Sequence, residues 1–288
     1  MTALGPGNIS ARQRPWVIVV IATSRLLCGF CLAWPLASLI SASGIGLRPD
    51  GDRALFEGGG YLLLELLRLQ GSALGAVLRG LVPVFGLGLV LTAACNAALL
   101  VALNTSGRLS RSDWLARTAA RVPGIVVLGI ATTLGQLVLI VAGVLLSDAV
   151  PEPLASPVTT TLGQAAVWLI TATLSAALGG FSDVARAALV RYDAGLREGL
   201  SRAVSCLRHR PLRSCFGWFP YALALLAVVA LASKLTSAVD VSRSGAWRVA
   251  AVFLVHQLVV LVAVAARAAW FARVLRLIAT ENGFDSIS

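Results

Sequence analysis

FSDVARAALVRYDAGLREGLSRAVSCLRHRP, Phe181 to Pro211, is an arginine-studded stretch set between two long apolar runs. Projected at 100° per residue it reads as an amphipathic helix, with its apolar residues inside one arc of about 120°. Ala185, Ala188, Leu189, Tyr192, Leu196, Leu200, Ala203 and Leu207 share that arc, while Asp183, Arg186, Arg191, Asp193, Arg197, Glu198, Arg202 and Arg208 cover the opposite side. Asp193 with Arg197 and Glu198 with Arg202 are i,i+4 pairs in the favourable acid-before-base order. The expected element is a single helix over 182–209, lying along lipid headgroups or packed back under a bundle. Arginines beside an anionic leaflet contribute about 1 kcal/mol each, so such a helix also fixes which side of a membrane it occupies.

Working outward, the chain around this helix is unusually apolar. Of its 288 residues 58% are hydrophobic and 13% charged, and the mean hydropathy is +0.85. A soluble domain carries about 25% charged residues. A span needs roughly 20 mostly apolar residues, and six stretches fit: 16–42, 81–103, 123–147, 158–181, 214–235 and 246–271. Pro83, Pro123 and Pro220 fall in the first turns or so of these runs, where proline is tolerated, and Pro35 is internal to the first. The fold class expected is all-α, a polytopic membrane bundle of six transmembrane helices plus interfacial amphipathic helices, forming a single integral membrane domain over 1–288.

The net charge is +11, and all but one of the 24 cations are arginine, Lys234 being the exception. These charges lie in the loops between apolar runs, with no nucleic-acid-binding motif among them. With the N-terminus inside, sixteen cations fall on the cytoplasmic side and seven outside, Arg25 lying within the first span. This bias places both termini in the cytoplasm of a multi-pass inner-membrane protein. The loop 148–157 has two acids and no base, which suits the external face. A signal peptide is the alternative for the first run, with Arg12 and Arg14 as its basic region and Ser41–Ser43 as a cleavage site. The run is longer than a signal's apolar core and is interrupted by Arg25, so an uncleaved anchor is expected.

Two further amphipathic elements are expected. One covers 108–121, where Trp114 gives an interfacial anchor among Arg111, Arg117 and Arg121. The other covers 61–80, where Glu65, Arg68, Ser72 and Arg79 line a narrow polar stripe.

The run D-V-A-R-A-A-L-V-R-Y-D from Asp183, followed by R-E-G-L-S-R-A-V and R-H-R-P, resembles a group of uncharacterised bacterial six-span integral membrane proteins. In that group a D-x-A-R helix follows the fourth span. At greater distance the layout is similar to the membrane domain attached to some glycerophosphodiester phosphodiesterases. Asp183 and Arg186 match the D-x-A-R motif. The resemblance implies fold and location, and the phosphodiesterase catalytic domain has no counterpart in this chain.

Chemistry-bearing residues are sparse. Polar groups inside spans are functional candidates by default: Arg25, Asn96, Gln136, Gln164, His256 and Gln257. Arg25 is shallow enough to snorkel to the headgroups, and the amides and His256 equally suit interhelical hydrogen bonds. Cys28 and Cys31 form a C-x-x-C inside an apolar run, where packing is expected of them rather than redox chemistry. The two histidines, one of them His209 in an arginine cluster, have no nearby acid pair and so do not make a zinc site of usual composition. No catalytic residue, cofactor or metal is expected. Asp183 and Arg186, three apart, are expected to pair and to fix the turn from span to surface helix, Asp183 capping the latter's amino end. The expected role is a non-enzymatic scaffold or accessory subunit of a membrane complex or envelope process. The alternative is a small transporter or permease for a lipid or apolar solute. Expected partners are the lipids of the anionic cytoplasmic leaflet, together with another protein or a second copy of the chain.

Overall fold

The computed structural model describes residues 15–42, 68, 71–105, 110–149, 157–237, 239 and 246–285. The elements among the described residues are all helical: α1 (Pro15–Ala42), α2 (Gly71–Asn104), α3 (Arg111–Asp148), α4 (Pro157–Arg191), α5 (Leu196–His209), α6 (Pro211–Phe216), α7 (Phe219–Ser237) and α8 (Ala246–Asp285). Five stretches are long and apolar enough to cross a membrane: Val82–Asn104, Arg111–Asp148, Thr161–Arg191, Pro211–Ser237 and Ala250–Ala279. They coincide with the second to sixth expected spans. The first expected span falls on α1, where the apolar stretch identified is the shorter Pro15–Cys31. The architecture is therefore an all-α helical bundle of a multi-pass membrane protein.

The helices run past the ends of the apolar runs that announced them. At 1.5 Å per residue α3 is about 57 Å long, nearly twice the roughly 30 Å hydrocarbon layer. Its first turns are the segment expected as a separate surface helix at 108–121. From Arg111 on, that segment continues directly into the span, capped by Ser110, whose hydroxyl accepts from the Asp113 amide at 3.1 Å. Pro123 and Pro83 consequently lie inside helices rather than near their starts. Residues 71–80 of the expected helix 61–80 form the first turns of α2, and the remainder lies outside the described residues apart from Arg68.

The quoted stretch is likewise not one helix. Ser182–Arg191 is the last part of α4, and the chain then turns through Tyr192–Gly195 before α5 begins. Asp193 takes a left-handed conformation, φ 54°. The Ala194 amide reaches back to the Leu189 carbonyl at 3.2 Å, the six-residue closure that ends many helices after a left-handed residue. Asp193 is paired with Arg121, whose Nη1 also donates to the Ala194 carbonyl at 3.1 Å. The expected Asp193–Arg197 pair is thus replaced, because Asp193 is outside the helix that would have brought the two together. Glycine adopts φ > 0 without strain, and an ion pair with so exposed a carboxylate contributes little. Asp193→Gly should therefore shift the unfolding free energy by less than about 1 kcal/mol. Asp193→Val, β-branched in a left-handed site, should cost about 1–2 kcal/mol; chemical unfolding in mixed micelles measures both.

The chain divides into two compact units. The first comprises the described parts of Met1–Val17, Ala93–Ala222 and Ala266–Ser288. Its centre is the antiparallel pair α3 and α4. Along that pair Gly124 faces Leu189, Gly129 faces Arg186, Gly135 faces Leu178 and Gly143 faces Thr171, each step forward in one helix matching a step back in the other. Lipid competes with apolar side chains for one another, so close backbone approach at small residues and interhelical polar bonds hold such a pair. The approach is close here: a Cβ on Gly135 or Gly143 would lie 2.8 Å from Leu178 or 2.7 Å from Thr171. Leu99, Leu100, Ile125, Phe271, Leu275 and Ile278 supply the large, fully buried side chains of this unit. At its edge, Trp114 donates from Nε1 to the Ala98 carbonyl at 3.1 Å and meets Trp16 edge-on with centroids 5.1 Å apart. α5 folds back so that Gly199 lies against Leu189, burying Gly199, Ala203 and Cys206 and leaving Arg197, Arg202 and Arg208 exposed.

The second unit comprises the described parts of Ile18–Thr92 and Leu223–Ala265. Leu27, Trp34, Val82, Leu226, Leu254 and Leu258 are all more than half exposed there. Apolar exposure on that scale is the surface that lipid covers in a membrane bundle.

Candidate functional site

The first unit contains a buried ionic cluster that grows from Asp183. This carboxylate sits deep inside α4 with its side chain 5% exposed. Every acceptor position on it is used. Arg267 grips it with both guanidinium ends, Nη1 to Oδ2 at 2.6 Å and Nη2 to Oδ1 at 2.5 Å. Trp270, one turn further along α8, donates from Nε1 to Oδ2 at 2.9 Å. Arg186, one turn along α4, donates from Nη1 to Oδ1 at 3.0 Å.

The geometry follows from helical spacing. Asp183 and Arg186 are i,i+3 on α4, as are Arg267 and Trp270 on α8, so each helix presents two groups from one face. Arg267 also lies over the Phe271 ring, 4.4 Å from its centroid, a cation–π contact that steadies its stem. A bidentate guanidinium–carboxylate pair with a third and fourth donor is a strong arrangement in a low-dielectric setting. The expected pairing of Asp183 with Arg186 is present, but Asp183 caps no helix end. α4 runs unbroken from Pro157 through it, so no free amide exists nearby for it to cap.

A carboxylate with all acceptor positions engaged is poorly placed to take a proton from a substrate. Its role is to tie α4 to α8. The guanidinium of Arg186 is different: its Nε is buried and has no hydrogen-bond partner.

Polar bonds continue on either side of the cluster. Thr132 Oγ1 lies 2.6 Å from Ser182 Oγ and 2.6 Å from the Leu128 carbonyl. Gln136 donates to the Ser175 carbonyl at 3.1 Å. Towards the α4 terminus Arg191 donates to Asn104 Oδ1 at 2.9 Å, and the Asn104 amide donates to the Val190 carbonyl at 3.3 Å. Tyr192 donates to the Ile278 carbonyl at 3.3 Å and lies under Arg202, 5.0 Å from ring centroid to guanidinium.

Of the six polar candidates within spans, Asn96, Gln136 and Gln164 belong to the first unit and Arg25, His256 and Gln257 to the second. Asn96 is buried on α2, Gln136 bridges α3 to α4, and Gln164 is exposed. His256 is exposed, and Arg25 and Gln257 are half-buried. Cys28 and Cys31 are free thiols, the second exposed. His209 is exposed, with Nδ1 2.9 Å from the Ser205 carbonyl. Among the described residues no three His, Cys, Asp or Glu side chains are grouped to hold a metal ion.

The two residues that complete the cluster, Arg267 and Trp270, were not singled out by sequence reasoning. Their signal is R-A-A-W inside an apolar run: an arginine four residues before the end of the last expected span, with an indole one turn on. Compared with family models, with characterised proteins and with solved structures, the chain gives no match.

Proposed function

We propose that this chain works without catalysis, as a scaffold or accessory subunit of a complex in the cytoplasmic membrane, with both termini in the cytoplasm. The observation that carries this reading is the saturation of Asp183. The most buried carboxylate among the described residues of the first unit is committed to joining two helices, and the polar groups flanking it join helices in the same way. A rigid framework of this kind suits a protein that holds others in place. The arginine-rich end of the first unit, where α3 begins and α4 ends, supports an orientation with that end towards an anionic leaflet.

Affinity isolation of the full chain from its native membrane in a mild non-ionic detergent tests the proposal. A protein partner at fixed stoichiometry is the expected result. Isolation of the chain alone, together with solute flux in reconstituted vesicles, would overturn the scaffold reading and favour the permease.

A further inference from the structure

We propose that α8 pairs with α8 of a second copy of this chain, along a seam centred on Gln257. Within the second unit α8 carries Trp247, Ala250, Leu254, Gln257 and Leu261, separated by three and four residues in alternation. At 100° per residue the five fall inside an arc of about 80°, so they form one narrow side of the helix. Trp247 is 67% and Leu254 62% exposed, Ala250 and Leu261 are exposed as well, and Gln257 is half-buried. Phe253 and Leu258, on either flank, are also exposed. The seam is therefore uncovered along this length.

The amide separates this seam from an ordinary lipid-facing surface. Arg248 lies 5.4 Å from the centroid of the Trp247 ring, an aromatic and a cation of the kind that sit among headgroups. Gln257 is ten residues further on, about 15 Å of helical rise, near the middle of a hydrocarbon layer about 30 Å thick. Its side chain has no hydrogen-bond partner among the described residues. Acyl chains offer none, so the carboxamide is satisfied only by a polar group on another helix. A second copy supplies that group. A carboxamide both donates and accepts, so two facing glutamines satisfy each other. Copies inserted in the same orientation run α8 parallel, and about a two-fold axis each seam residue meets its own equivalent. A repeat of 3.5 residues with one polar position is the pattern by which parallel helices pair and fix their register. Ala250 lets the two backbones approach closely. Such pairing is independent of the scaffold reading, since a permease could pair in the same way.

The test uses the whole purified chain, labelled separately with a donor and an acceptor fluorophore and reconstituted together in phosphatidylcholine vesicles. Energy transfer is followed as the protein-to-lipid ratio is raised. Wild type should associate, with donor emission falling linearly with the acceptor fraction, the signature of a pair. Gln257→Leu removes the amide and should associate about tenfold more weakly. Gln257→Asn keeps a carboxamide and should retain more of the pairing than Gln257→Leu. His256→Leu, one residue along and so about 100° around the helix, should associate as wild type does. Should Gln257→Leu fail to fold, Leu254→Ala, which thins the seam and leaves the amide, takes its place and should also weaken association. Wild type that stays monomeric at the highest protein-to-lipid ratio leaves this face to lipid or to another protein and overturns the proposal. Equal association of wild type and Gln257→Leu, or an oligomer larger than a pair, would overturn it too.

Discussion

Replacing Asp183 by alanine should be the most damaging single change in the first unit. It removes four hydrogen-bond acceptances at once and leaves the buried Arg186 and the partly exposed Arg267 facing each other without their counter-charge. Breaking a buried ionic cluster by removing one partner costs about 3–5 kcal/mol, because the stranded charges keep their desolvation penalty. A drop in melting temperature on the order of 10 °C is expected in detergent, with reduced steady-state level in the membrane. Asp183→Asn should recover only part of this, since a neutral amide balances neither arginine. Exchanging Asp183 and Arg186 should not restore stability, because an arginine at 183 would then face Arg267 and the Trp270 donor. Wild-type melting of Asp183→Ala would remove the structural role assigned to the cluster.

Gly180→Val should come second. A Cβ on Gly180 would lie 2.4 Å from the Cys215 carbonyl oxygen and 3.0 Å from its carbon. Both are backbone atoms of α6, so no side-chain rotation relieves the clash. α4 and α6 must move apart, which disturbs the neighbouring Ser214 hydroxyl, bonded to the Arg210 carbonyl at 2.9 Å. Overpacking of a tight contact costs about 1–3 kcal/mol, and a β-branched residue belongs at the upper end or beyond. Gly180→Ala should show a smaller loss in the same direction. Gly129→Ala, whose added Cβ meets nothing nearer than 3.8 Å, serves as the harmless comparison. Guanidinium-free unfolding in mixed micelles ranks the three.

The apolar runs were legible because a span is an average over some twenty residues, and no single side chain decides it. That average predicts where hydrocarbon begins and ends, and it is poorer at locating helix ends. Phe181 closes the apolar run, yet α4 continues to Arg191 because Val184, Ala185, Ala188 and Leu189 are buried against neighbouring helices. Asp183 was therefore recognised as a partner of Arg186 and misplaced as a cap. The break at Tyr192–Gly195 was hidden for a related reason. Asp193 keeps the helical charge pattern, and nothing local marks its left-handed turn, where it meets Arg121 from 72 residues earlier in the chain. The contact of Asp183 with Arg267 spans 84 residues, a separation that leaves no periodic trace. Arg267 had a sufficient explanation as a cytoplasmic flanking charge, which concealed its inward role. Gln136 was legible as interhelical glue, since an amide in a span has few other stable uses.

Asp183 and Arg267 form the specific link between α4 and α8, and a double-mutant cycle at the two residues measures that link directly. Asp183→Ala, Arg267→Ala and the double variant are unfolded reversibly in mixed micelles beside wild type. The two single losses should be large and strongly non-additive, with a coupling of more than about 1 kcal/mol, because each removes the same contact. Additive losses, leaving a coupling indistinguishable from zero, would contradict the account and show that Asp183 does not hold the two helices together.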